Sequence, residues 1–130
     1  MPKQFTITHH NKLIRDRVVP RIEASGEKCS TRTLDSEAEF LTALATKLRE
    51  EADEAAKALN VFCSNLAFNL YQDGDHVLEE LADLSALIDE AQAAIGKSSL
   101  DLNAAKCEKL RTHGGFQHRV FLERTWKEEA

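Results

Sequence analysis

The chain has 130 residues, 42% hydrophobic and 30% charged, with only 2 Pro and 5 Gly; this is one domain's worth of helix-favouring globular material and excludes a disordered chain. Its net charge of −5 is uneven: residues 1–34 carry +4, residues 35–102 carry −11 and residues 103–130 carry +2. An acidic centre between basic ends argues against a nucleic-acid polymer as partner, because such binders carry a basic stripe, and no apolar run approaches the roughly 20 residues of a membrane span.

Residues 1–11 read as extended or loose, with Thr6-Ile7-Thr8 β-prone but short and His9-His10 as surface residues. In residues 12–24, Leu13, Ile14, Val18 and Ile22 follow helical spacing in part. Pro20 limits regular helix upstream, so a short helix or helix–turn is expected, ending near Ser25-Gly26. Residues 27–34 read as a linker. From Ser36 a strong helix is predicted over residues 36–59, with Ser36 as cap and Glu39 as its capping-box partner. Its apolar stripe is Leu41, Leu44, Leu48, Ala52, Ala55 and Leu59. Residues 60–75 read as a continuation of that helix or a separate short one, closed by the turn Gln72-Asp73-Gly74-Asp75.

A second strong helix is predicted over residues 76–95, capped by Asp75, with Leu78, Leu81, Leu84, Ile88 and Ile95 on one face, Leu87, Ala91 and Ala94 extending the apolar surface round to the side that carries Glu80, and Gly96 at its end. A further helix over residues 98–112 starts at Ser98 or Ser99 and stops at Gly114-Gly115. The tail holds Phe116, Val120, Phe121, Leu122 and Trp126, and is apolar enough to dock on its own core or on a partner subunit. The expected architecture is therefore an all-α helical bundle, completed by oligomerisation, with a short irregular N-terminal segment and a C-terminal tail, forming a single domain over residues 1–130. The N-terminus is polar, and Cys29, Cys63 and Cys107 are widely spaced without a CxxC. Reduced thiols and a cytoplasmic location are the expectation.

The two strong helices carry matching acidic runs, Glu50-Glu51-Ala52-Asp53-Glu54 and Glu79-Glu80-Leu81-Ala82-Asp83. Residues three apart share a helix face, so Glu51 with Glu54 and Glu80 with Asp83 form two carboxylate pairs. Helical phase puts Glu51 on the shoulder of the apolar stripe, partly buried, and puts Glu80 and Asp83 at the apolar margin. Four such carboxylates repel one another unless a hard cation sits among them, and Mg²⁺, with Mn²⁺ as the alternative, takes oxygen ligands. Basic residues at both ends then suit the phosphates of a metal-bound nucleotide. Lys47, Arg49 and Lys57 offer the plainer reading, as local counter-ions on solvated helix faces. The chain has no GxxxxGK[ST] loop, no HExxH and no evident Ser/His/Asp order, so metal-activated water is expected in place of a protein nucleophile.

Four motifs in order carry a resemblance: Asn11-Lys12-Leu13-Ile14-Arg15-Asp16, Leu48 with Glu50, Glu51 and Glu54, Glu79-Glu80-Leu81-Ala82-Asp83, and Gly114-Gly115-Phe116 with Arg119. Together they span nearly the whole chain. The chain resembles the all-α nucleoside triphosphate pyrophosphohydrolase superfamily, the MazG-like group that includes phosphoribosyl-ATP pyrophosphohydrolases. The resemblance implies a hydrolase that cleaves between α- and β-phosphates to give a nucleoside monophosphate and pyrophosphate. It implies Glu51, Glu54, Glu80 and Asp83 as metal ligands, Glu51 and Glu50 as catalytic carboxylates with Glu50 orienting water, and Lys12, Arg15, Lys109 and Arg119 as phosphate contacts. It also implies a homodimer or homotetramer. Two features depart from the pattern: residues 60–75 look like an insertion, and His113 stands where Arg is expected. The enzymatic alternatives are phosphoribosyl-ATP or a deoxyuridine nucleotide as substrate. The alternative from another class is a catalytically silent, helical, oligomeric binding protein.

Overall fold

The computed structural model describes residues 1–129. Among them are four helices, 57% of the chain, and no strand. These are α1 (Val18–Ala24), α2 (Glu37–Ala67), α3 (Gly74–Ala94) and α4 (Ser99–His113). The all-α expectation holds. Neither the Thr6–Thr8 run nor Thr31–Leu34 forms a strand, and residues 12–17 are not helical.

α1 is short because Pro20 is tolerated only in a helix's first turn, where its missing N–H has no partner to lose; Pro20 is the third residue of α1. α2 runs through residues 60–67 without a break, so 31 residues make one rod of about 46 Å at 1.5 Å per residue. Ser36 caps it as expected, its hydroxyl accepting the Glu39 N–H at 3.3 Å. The Glu39 carboxylate does not reach back to close the box, because the Arg32 guanidinium holds it, and that pairing draws its pKa down. At α3 the cap lies two residues before the expected Asp75: the Asp73 carboxylate accepts the His76 N–H at 3.0 Å. Gly96 takes φ 76° just past the Ile95 cap, the left-handed position glycine favours.

α4 opens with a complete capping box. Asp101 accepts from the Ser98 backbone N–H at 2.8 Å and from its hydroxyl at 3.0 Å, and the Ser98 hydroxyl accepts the Asp101 N–H. The backbone N–H first, and then the hydroxyl, hold the Asp101 carboxyl below its ordinary 3.8. A depressed folded pKa contributes stability above the unfolded value and loses it as pH falls through the folded one. Acidification below pH 3.8 is therefore expected to fray the first turn of α4. Amide exchange at Asp101 and Leu102 should rise there, and Asp101→Asn should flatten the response; an exchange profile indifferent to pH in the native chain would contradict the box.

α2 and α3 form an antiparallel hairpin and carry the main helix–helix contact, while α4 leans on α3 and contributes less. The interior is small. Leu44, Ala55 and Ala58 on α2 are 3–4% exposed, and Val77 is the one buried residue on α3. The packed faces differ from those expected. On α2 the buried line is Leu44, Ala55 and Ala58 with Glu51 beside it, while Leu41, Ala52 and Leu59 are exposed. On α3 the half-buried side holds Glu80, Asp83, Leu84, Leu87, Ala91 and Ala94. Leu78, Leu81, Ile88 and Ile95, four of the five residues of its expected core face, are exposed. On both helices the packed side carries acids and alanines together with larger apolar residues, Leu44 and Leu48 on α2 and Val77, Leu84 and Leu87 on α3. The alanines among them let the backbones approach.

The accessible surface is 12350 Å². A compact 14.6 kDa monomer exposes about 6,900 Å² by the usual size scaling. Among the described residues no helix is long and apolar enough to cross a membrane.

Candidate metal centre

Glu51 lies one turn before Ala55 on α2, so the close approach that buries Ala55 and Ala58 also brings Glu51 toward α3. Glu80 and Asp83, three residues apart, lie on the α3 side that meets α2. Carboxylate oxygens of Glu51, Glu80 and Asp83 lie within 4.8 Å of one another, and all three residues are half-buried. The partial burial expected for Glu51 is found, with its side chain 16% exposed.

Three cations surround the carboxylates. Arg15 Nη2 donates to Asp83 Oδ1 at 2.8 Å. Lys12 Nζ lies 3.5 Å from Glu50 Oε1. Lys47 Nζ lies 3.3 Å from Glu51 and 3.6 Å from Glu50. Arg15 and Lys12 reach from the irregular N-terminal segment, which is seated through half-buried Leu13 and Ile14. The first motif is thus folded against the second and third, across 68 residues in the Arg15–Asp83 pair.

The expected residues divide into three groups. Glu51, Glu80 and Asp83 come together, with Glu50 at their edge bound by Lys12 and Lys47. Glu54 is not in the cluster; it pairs with Lys57 at 3.4 Å and its side chain is 48% exposed. The reason is helical phase: three residues turn the side chain by about 300°, which carries Glu54 past the edge of the packed face. Lys109 and Arg119 lie at the junction of α4 with the tail, around Leu110, Gly114 and Phe116. Neither forms an ion pair among the described residues. Lys47 is the local counter-ion the sequence offered: it joins Glu50 to Glu51, with its side chain 17% exposed. Its spacing four residues before Glu51, on the same helix face, is the signal that marks it.

The donor set fits a hard divalent cation. Mg²⁺ holds oxygens at 2.0–2.1 Å in an octahedron, so its ligand oxygens stand about 3 to 4 Å apart. Three carboxylate oxygens within 4.8 Å need only small rotations to reach that spacing. Sulfur and imidazole donors are absent from the cluster, which selects against softer metals.

No protein-family model, curated protein or solved structure matches the chain. The resemblance to the MazG-like group rests on the four motifs in sequence.

Proposed function

We propose that the chain is a divalent-cation-dependent nucleotide pyrophosphohydrolase that converts nucleoside triphosphates, canonical or modified, to monophosphate and pyrophosphate. The observation that carries this reading is the three-carboxylate cluster across α2 and α3, within 4.8 Å, with Arg15 and Lys12 of the first motif folded over it. Glu51, Glu80 and Asp83 would hold Mg²⁺ or Mn²⁺. A cation held there neutralises phosphate charge and makes bound water a better nucleophile at neutral pH.

The chain's own residues supply the rest. Arg15 and Lys12 neutralise carboxylates in the free protein, and the same cations suit phosphate oxygens once a nucleotide enters. Glu50, beside Lys12 and Lys47, would orient water and take its proton. Lys47 keeps its ammonium against Glu51 and limits the repulsion among the acids. Lys109 and Arg119 complete the phosphate contacts in this reading. The resemblance implies a homodimer or homotetramer.

The test is product analysis. Incubation with a panel of nucleoside triphosphates, phosphoribosyl-ATP and deoxyuridine triphosphate, with and without Mg²⁺, is expected to give monophosphate and pyrophosphate only with the metal. Orthophosphate with diphosphate, or no turnover of any nucleotide, would sink the reading.

A further inference from the structure

Two cations pair with carboxylates of the cluster, and they are held differently. Lys47 stands on α2 four residues before Glu51, its side chain 17% exposed, so the helix itself fixes its ammonium beside that carboxylate. Arg15 comes instead from residues 1–15, which form no helix or strand. Its carbonyl accepts the Val18 N–H at 3.2 Å at the start of α1, and half-buried Leu13 and Ile14 seat the segment beside it. The guanidinium then reaches out to Asp83, with the Arg15 side chain 64% exposed and that of Asp83 43% exposed. An ion pair this open contributes little to stability, because water competes for both partners. It exchanges readily for another partner.

That exchange bears on the cluster. Glu51 and Asp83 each have a cation, and among the described residues Glu80 has none. Asp83 is thus a candidate ligand that the free protein covers with a group of the same sign as a metal ion. A guanidinium and a divalent cation on one carboxylate repel each other. A metal arriving alone must displace Arg15 or bind against its field. A polyphosphate changes the balance, because its oxygens accept a guanidinium in the same bidentate way as a carboxylate does. Lys12, 3.5 Å from Glu50 on the same segment, is open to the same transfer.

We propose that Arg15 is an exchangeable counter-ion of the metal site. It holds Asp83 in the free protein, opposes the binding of a bare divalent cation, and passes to phosphate oxygens when metal and polyphosphate arrive together. Metal and polyphosphate then bind with positive coupling, each raising the affinity of the other by the same factor. The inference rests on the metal site of the reading above and adds the order in which that site is filled.

The test is calorimetric titration of the full chain, freed of metal. With Mn²⁺ alone, Arg15→Gln is expected to bind about fivefold more tightly than the native chain, the scale of an exposed ion pair. The difference should shrink at high salt. With the preformed Mn²⁺ complex of a non-hydrolysable α,β-methylene triphosphate, the order is expected to reverse. The native chain should then bind at least about tenfold more tightly, as for a hydrogen bond to a charged group. Equal or weaker Mn²⁺ binding by Arg15→Gln would overturn the counter-ion, and failure of the complex to prefer the native chain would overturn the exchange. Glu80→Gln separates these outcomes from the metal site itself. Mn²⁺ binding that is lost in Glu80→Gln but not tightened in Arg15→Gln rejects the counter-ion and leaves the metal site standing. Mn²⁺ binding unchanged in Glu80→Gln rejects the metal site, and the counter-ion with it.

Discussion

Glu80→Gln is expected to lower nucleotide turnover at least about a hundredfold, since even residues that only support a metal ligand cost 10–100-fold when removed. Glutamine has nearly the same volume, so the α2–α3 contact should survive. Helix content by circular dichroism should match that of the native chain. What changes is charge: one of three clustered carboxylates becomes a neutral amide, which is a weaker ligand for a hard cation. Mg²⁺ or Mn²⁺ titration should therefore show weaker binding in the variant, and turnover should recover little at high metal. Glu54→Gln provides the contrast. The exposed Glu54 carboxylate pairs with Lys57 outside the cluster, so a smaller loss is expected than for Glu80. Equal turnover by Glu80→Gln and the native chain would show that turnover uses no cation held at this cluster.

Ala55→Leu should produce the second large effect, through packing. Ala55 is 4% exposed, one turn after Glu51 on the same side of α2. Three added carbons have no cavity to enter, and overpacking of this kind costs about 1–3 kcal/mol. The strain is relieved by moving α3 outward. That motion separates Glu51 from Glu80 and Asp83, whose spacing within 4.8 Å depends on the close contact. The variant should melt at lower temperature and bind metal more weakly, although no ligand has been altered. Ala52→Leu, one turn after Leu48 but exposed, should leave both properties near native. Measured melting temperatures and metal affinities of the two variants decide the point: if Ala52→Leu proved the more damaging, the packed face of α2 would be misassigned.

The elements themselves were legible in the sequence. Ser36, Ser98 and Gly96 marked helix ends correctly because caps act within four residues and need no distant partner. The motif spacing also put Glu80 and Asp83 on one side of α3, since i and i+3 share a face in any helix. The partial burial of Glu51 followed from its phase against Ala55. Asp73 displaced Asp75 as the α3 cap because the exact start of a helix depends on where the hairpin turns, and Gly74 permits either.

The choice of packed face was decided only in three dimensions. Periodicity ranks faces by apolar content, and on that ranking Leu78, Leu81, Ile88 and Ile95 formed the α3 core. The hairpin instead packs through Leu44, Ala55 and Ala58 of α2 and through the side of α3 that carries Glu80, Asp83, Leu84 and Leu87. The same choice gathers Glu51, Glu80 and Asp83, excludes Glu54, and draws Arg15 across 68 residues to Asp83. By itself the sequence determined that the chain is helical, several of the helix ends, and which carboxylates share a helix. The tertiary structure decided which of those carboxylates meet and which apolar residues stay open, because both depend on how two helices rotate against each other, a quantity no single helix encodes.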